Sequence, residues 1–125
     1  MHDYAQALLW SLGRLLLGGL FIVAGIRHFF VFGGVAQAIA GRGVPLPRLV
    51  LFFGSVFELL AGSLLVLGIF VAYAASGLAI FTLAASFMLL NFWSLEGSAR
   101  EAAVNTWLSN IAIIGGLLIA AAHSL

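Results

Sequence analysis

Cysteine is absent from this chain of 125 residues. No dithiol–disulfide relay, Cys-ligated iron–sulfur cluster, covalently attached haem or thiolate zinc site can therefore be built from it alone. Lysine is absent as well, so five arginines carry all the permanent positive charge. Charged residues amount to 7% of the sequence and hydrophobic ones to 64%, with a mean hydropathy of +1.23. Soluble domains carry roughly a quarter charged residues, which excludes a soluble core with a polar coat. A nucleic-acid surface is excluded too, because no basic face or cluster exists to neutralise phosphates. Proline occurs twice, both times in VPLP (residues 44–47), where the missing amide donors prevent a helix from continuing.

What the sequence does contain is apolar length. A membrane-spanning helix needs about 20 apolar residues at ~1.5 Å each. Four such segments fit, at 7–32, 48–68, 72–92 and 105–122. The fold class is an all-α membrane protein, one antiparallel four-helix bundle forming a single domain over residues 1–125. The N-terminal MHDYAQALLWSLGRLLLGGL has no basic leader-like start, and Arg14 interrupts its apolar stretch. It reads as the beginning of the first spanning helix rather than a cleaved signal.

The connections differ. Residues 67–71 leave room only for a tight hairpin between the second and third spans. Between the first two spans, Gly33 and Gly34 are expected to break the helix, and VAQAIAGR to form one or two turns in the membrane interface. SLEGSAREAAV, the last connection, is the most water-like stretch. Both termini and the hairpin share one side of the membrane (side A), and the two longer loops share the other (side B). Arg27, Arg42, Arg48 and Arg100 lie on or near side B, so positive-inside bias puts side B in the cytoplasm and the termini outside. A bacterial or archaeal plasma membrane is the expected location.

One acid interrupts the apolar run at 49–73. Glu58 lies about nine residues, or ~14 Å, into the second span, and helical side chains lean toward the N-terminus, here side B. From the antiparallel first span, Arg27 and His28 lean inward to meet it. Arg14, Gly18, Gly25 and His28 share about 80° of the first helix, whereas Arg27 points well away. Gly54, Glu58 and Gly62 form a small-residue stripe that lets helix backbones approach closely. His28 is thus the expected partner of Glu58, with Arg27 either swinging in or snorkelling to head groups. Asn91 near the end of the third span and Asn110 in the fourth add polar groups to the same half. The candidate ligand-binding set is His28, Glu58, Asn91, Asn110 and Arg27, lining a pocket open toward side B. Interhelical polar contacts of ~0.6–2 kcal/mol are common in membranes and can simply lock a bundle. An ionisable residue within the membrane nevertheless points to function. Trp10, Trp93 and Trp107 read as interfacial anchors.

The ordered motifs GRLLLGGLFIVAGIRHF, GRGVPLP, FELLAGSLLVLGIF, FTLAASFMLLNFW and SNIAIIGGLLIAA resemble the DoxX family over residues 13–121. The resemblance implies a four-helix inner-membrane protein linked to quinone-dependent respiratory or sulfur-oxidation chemistry. The chain departs from the family pattern at His28 and Ser109, where lysine is usual, and at Leu90, where histidine is frequent.

Two functions follow. In the first, the chain is a quinone-linked subunit, its polar set holding and protonating the head group while the tail runs through an apolar channel. Quinone is then the expected cofactor, and no haem, iron–sulfur cluster or metal is expected from this chain alone. His2 and His123 lie at side A and His28 near side B, so no pair of histidines is placed to hold a b-type haem. In the second, it is a non-enzymatic accessory subunit packed against a larger membrane complex. Both readings expect lipid contact and either a homo-oligomer or a larger assembly. A small transporter or channel is disfavoured, because no broken midplane helices suggest a substrate site.

Overall fold

The computed structural model describes residues 2–125 and is built of five α-helices with a short 3-10 turn. They are α1 (His2–Phe30), α2 (Phe32–Gly41), α3 (Pro47–Leu67), α4 (Val71–Leu89) and α5 (Gly97–His123), the turn being Phe92–Ser94. Among the described residues, α1, α3, α4 and α5 are long and apolar enough to cross a membrane. The 21 residues of α3 cover roughly 31 Å, matching a hydrocarbon core of about 30 Å. With 10 residues, α2 is too short to span and packs over the side-B ends of α3 and α4.

Several boundaries differ from those expected. The first helix is broken at Val31 (φ −114°, ψ 30°), and Gly33 and Gly34 lie inside α2. A glycine costs only about 1 kcal/mol relative to alanine in a helix. That is too little to stop α2 while Ala36 and Ile39 bury against Leu51 of α3. The water-like segment 97–104 is helical and forms the first turns of α5, because Ala, Arg and Glu are strong helix formers. Conversely, α4 stops at Leu89, three residues earlier than read from hydrophobicity alone.

The bundle is two helix pairs. In the first, Gly18 of α1 and Gly62 of α3 sit back to back: a Cβ on Gly18 would lie 2.5 Å from the Gly62 carbonyl oxygen. Gly54 does not belong to this seam but faces Phe81 of α4. Residues four apart drift by about 40° around a helix, so a stripe three members long reaches a second neighbour. In the second pair, α4 packs along α5. The pairs join in the side-A half through a core containing Leu65, Leu78 and Leu117, with small alanines between them.

Helix ends inside or near lipid need protein partners for their last carbonyls, and the chain supplies them from other helices. At the end of α3, Gly68 takes φ 77° and the Ile69 N–H donates to Leu64 O. Arg14 then reaches across from α1, its Nη1 donating to Leu65 O and Val66 O at 3.2 Å each. At the end of α4, Arg42 Nε donates to Met88 O at 2.8 Å, Arg42 Nη2 to Phe87 O at 3.4 Å, and Trp107 Nε1 to Leu90 O at 2.6 Å. Arg14 and Trp107 are therefore structural caps as well as interfacial side chains.

Candidate functional site

A cavity of about 620 Å³ lies between the two helix pairs in the side-B half. Its walls are mostly aliphatic and aromatic, with polar groups on two opposite sides. On one side, His28 of α1 and Ser55 and Glu58 of α3 line it; on the other, Thr82 and Ser86 of α4 and Asn110 of α5. Val35 and Ile39 of α2 cover its side-B end. The pocket is consequently roofed toward side B, not open to it as the sequence suggested.

The expected pairing of His28 with Glu58 is present, with Nδ1 2.9 Å from Oε1. The Glu58 side chain is 4% exposed and that of His28 29%. Oε1 is shut off from water and has no well-aligned hydrogen-bond donor among the described residues. The contact is thus close in distance but bent in angle. A ring nitrogen and a carboxylate oxygen are both acceptors until one carries a proton, so the imidazole tautomer with hydrogen on Nδ1 is the one able to donate across this 2.9 Å gap. Ser55 Oγ stands 3.3 Å from the same ring nitrogen, supporting the imidazole from the α3 side. A buried carboxyl group this poorly satisfied is costly unless it is paired, and His28 is its one basic partner among the described residues.

The opposite wall is better satisfied. Asn110 Nδ2 donates to Ser86 Oγ at 2.9 Å, and the Ser86 hydroxyl donates to Thr82 O at 2.7 Å. Thr82 in turn donates to Leu78 O at 2.7 Å. These hydroxyls back-bond to their own helix, four residues earlier, so their protons are engaged and this wall offers a ligand acceptors, the Asn110 side-chain carbonyl and the Thr82 hydroxyl oxygen among them.

Of the candidate residues, His28, Glu58 and Asn110 are brought to one cavity. Arg27 and Asn91 are not. Arg27 is exposed on the outer face of α1, as its helical phase requires, and does not swing in. Asn91 follows the early end of α4 and caps the 3-10 turn through its backbone carbonyl; Leu90 lines the cavity in its neighbourhood. Ser55 and Ser86 were not singled out from sequence. Ser55 was legible in principle, three residues from Glu58 and so on the same helical face; Ser86 lacked any comparable marker. Among the described residues, no group of three His, Asp or Glu side chains is placed to hold a metal ion.

The family model DoxX matches residues 9–91. The chain belongs to the DoxX family. The match runs from within α1 to just past the end of α4 and includes His28 and Glu58, while Asn110 on α5 lies beyond it. The chain is also similar to the inner membrane protein YphA of Escherichia coli (strain K12), at 28% identity over 117 residues, covering 94% of this chain and 84% of that protein. No solved structure matches this DoxX chain.

Proposed function

We propose that this protein is a small inner-membrane subunit that binds a quinone-type molecule in the cavity, with the ring at the His28–Glu58 pair. The observation that carries the reading is an acid–base pair, a buried Glu58 carboxyl 2.9 Å from the partly exposed His28 imidazole, on the wall of a mostly apolar cavity. A volume of about 620 Å³ falls within the ~300–1,000 Å³ typical of small-molecule sites. The donor set fits a ring bearing carbonyl or hydroxyl oxygens. The His28–Glu58 pair can give or take a proton on one wall, and Asn110 can accept a hydrogen bond on the other. A bound quinone supplies a ring whose two oxygens take up protons as it is reduced. Glu58 lies buried and faces His28, while Ser55 Oγ stands beside the imidazole and steadies it. The electrons come from a partner protein. The inner-membrane placement follows the printed name of the Escherichia coli relative and the four candidate spans.

Glu58→Gln, His28→Gln and the double variant, purified in nanodiscs and titrated with decyl-ubiquinone, test this reading. Gln preserves size and hydrogen bonding but cannot ionise. Weakened binding in each single variant, with little further loss in the double, marks one coupled unit. Wild-type binding in Glu58→Gln with unchanged thermal stability overturns the reading.

The second reading, an accessory subunit, draws on a different observation. Phe29, Phe52 and Phe53 form an exposed aromatic cluster, with ring centroids 6.0 Å apart for Phe29–Phe52 and 5.6 Å for Phe52–Phe53. Such a surface suits helix packing in an oligomer or larger complex. Gentle extraction separates the readings: co-purifying quinone supports the first, and a stoichiometric partner without quinone the second.

A further inference from the structure

We propose that the cavity is entered sideways from the bilayer, through the seam between α1 and α5, so that its ligand is a membrane-resident amphiphile whose chain stays in lipid. This deepens the quinone reading and rests on it only for the identity of the head group.

The geometry singles out one opening. In the side-A half, α1 and α5 are in contact: Trp10 lies against His123 with ring centroids 4.3 Å apart, and Leu17 covers Gly116. Nearer side B both helices line the cavity, α1 through Leu20, Ala24 and His28 and α5 through Thr106 and Asn110. Leu20 on α1 and Thr106 on α5 both line the cavity and both are exposed. They mark the α1 and α5 rims of the proposed slot, with Thr106 about 10 Å nearer side B by helix register from the Leu17–Gly116 contact.

The other routes are obstructed. Toward side B, α2 lies over the cavity with Ile39 fully buried, and Arg42 ties the end of that helix to two carbonyls of α4. Toward side A, the core around Leu65, Leu78 and Leu117 fills the space between the pairs. Val50 and Ala84 are exposed lining residues on the α3–α4 seam. There, however, Phe81 packs against Gly54 and lies 5.7 Å from Phe57, narrowing that seam one turn further in. Only lipid-soluble molecules are concentrated outside the α1–α5 slot, and the mostly apolar walls accept the chain that follows a polar head inward.

The absence of native cysteine allows a direct test. Ala24→Cys places a single thiol on the cavity wall of α1, and Leu16→Cys places a control thiol on the exposed face of the same helix. In proteoliposomes, a long-chain N-alkyl maleimide should label both thiols, while a charged, membrane-impermeant maleimide should leave Ala24→Cys unlabelled. Adding Thr106→Trp, or separately Leu20→Trp, at the rims should remove most of the alkyl-maleimide labelling of Ala24→Cys. The same rim changes should leave labelling of Leu16→Cys unchanged, which controls for folding and reagent supply. Labelling of Ala24→Cys by the charged reagent, or labelling indifferent to both rim substitutions, overturns the lateral route. Decyl-ubiquinone provides a separate arm. If it fails to protect Ala24→Cys while rim dependence holds, the quinone assignment falls and the lateral route stands.

Discussion

At the scale of single residues, the glycines divide sharply by what surrounds them. A Cβ on Gly62 would sit 2.8 Å from the Gly18 carbonyl oxygen, which belongs to backbone and cannot rotate away. Gly13, on the same helix as Gly18, has nothing within 4 Å of a Cβ position. Gly62→Ala should therefore push α1 from α3 and cost about 1–3 kcal/mol, the usual range for overpacking. Gly13→Ala meets no neighbour and should instead stabilise the helix by up to about 1 kcal/mol. Thermal unfolding of the two variants in one detergent checks the contrast; equal midpoints would show that α1 and α3 are not in close backbone contact. Because His28 and Glu58 lie on this same pair of helices, Gly62→Ala should also disturb their 2.9 Å contact. The site thus depends on close packing one turn along α3 from Glu58 and about three turns along α1 from His28.

At the scale of helices, α2 is held by a side chain rather than by its own length. Its ten residues bury Ala36 and Ile39, and Arg42 just beyond its end fastens it to Met88 O and Phe87 O. Arg42→Gln keeps polarity but loses the guanidinium fork, at about 1–3 kcal/mol for hydrogen bonds from a charged donor. The expected result is faster amide hydrogen exchange across α2 and the end of α4, with α1 and α3 unchanged. Uniform exchange in variant and parent would mean that α2 is held by burial alone. The sequence showed that helices exist and that the first two spans pack closely, because length, apolar run and small-residue phase are local properties; the pairing of α4 with α5 carried no such marker. The His28–Glu58 partnership was legible for the same reason, since two helical phases sufficed to aim the side chains. Arg42 as a latch was not legible, nor was the roof that α2 forms. Both depend on how α2 folds back across helices distant in sequence, which no periodicity encodes. Asn91 was misplaced because hydrophobicity continues through 90–93 after the α4 hydrogen-bond ladder has ended.

At the scale of the whole molecule, the arginines bear on its orientation. Arg14 and Arg42 are bound to helix carbonyls, so their positions are explained by capping. Arg27, Arg48 and Arg100 are left, and all three belong to the side-B half of the chain. Two of them lie over aromatic rings, Arg48 at 5.0 Å from the Phe32 centroid and Arg100 at 5.9 Å from that of Phe92. No arginine on side A is without a capping role, so the positive-inside bias points more clearly than a bare count of five suggests. Side B should face the cytoplasm, which also puts α2 and the cavity in the cytoplasmic half of the membrane. Single thiols at Glu96→Cys in the α4–α5 connection and Leu125→Cys at the opposite side report this directly. In intact cells, an impermeant maleimide should label Leu125→Cys at once and Glu96→Cys only after permeabilisation. The reverse pattern would place the cavity in the outer half, and protons for the His28–Glu58 pair would then have to be exchanged with the outside rather than the cytoplasm.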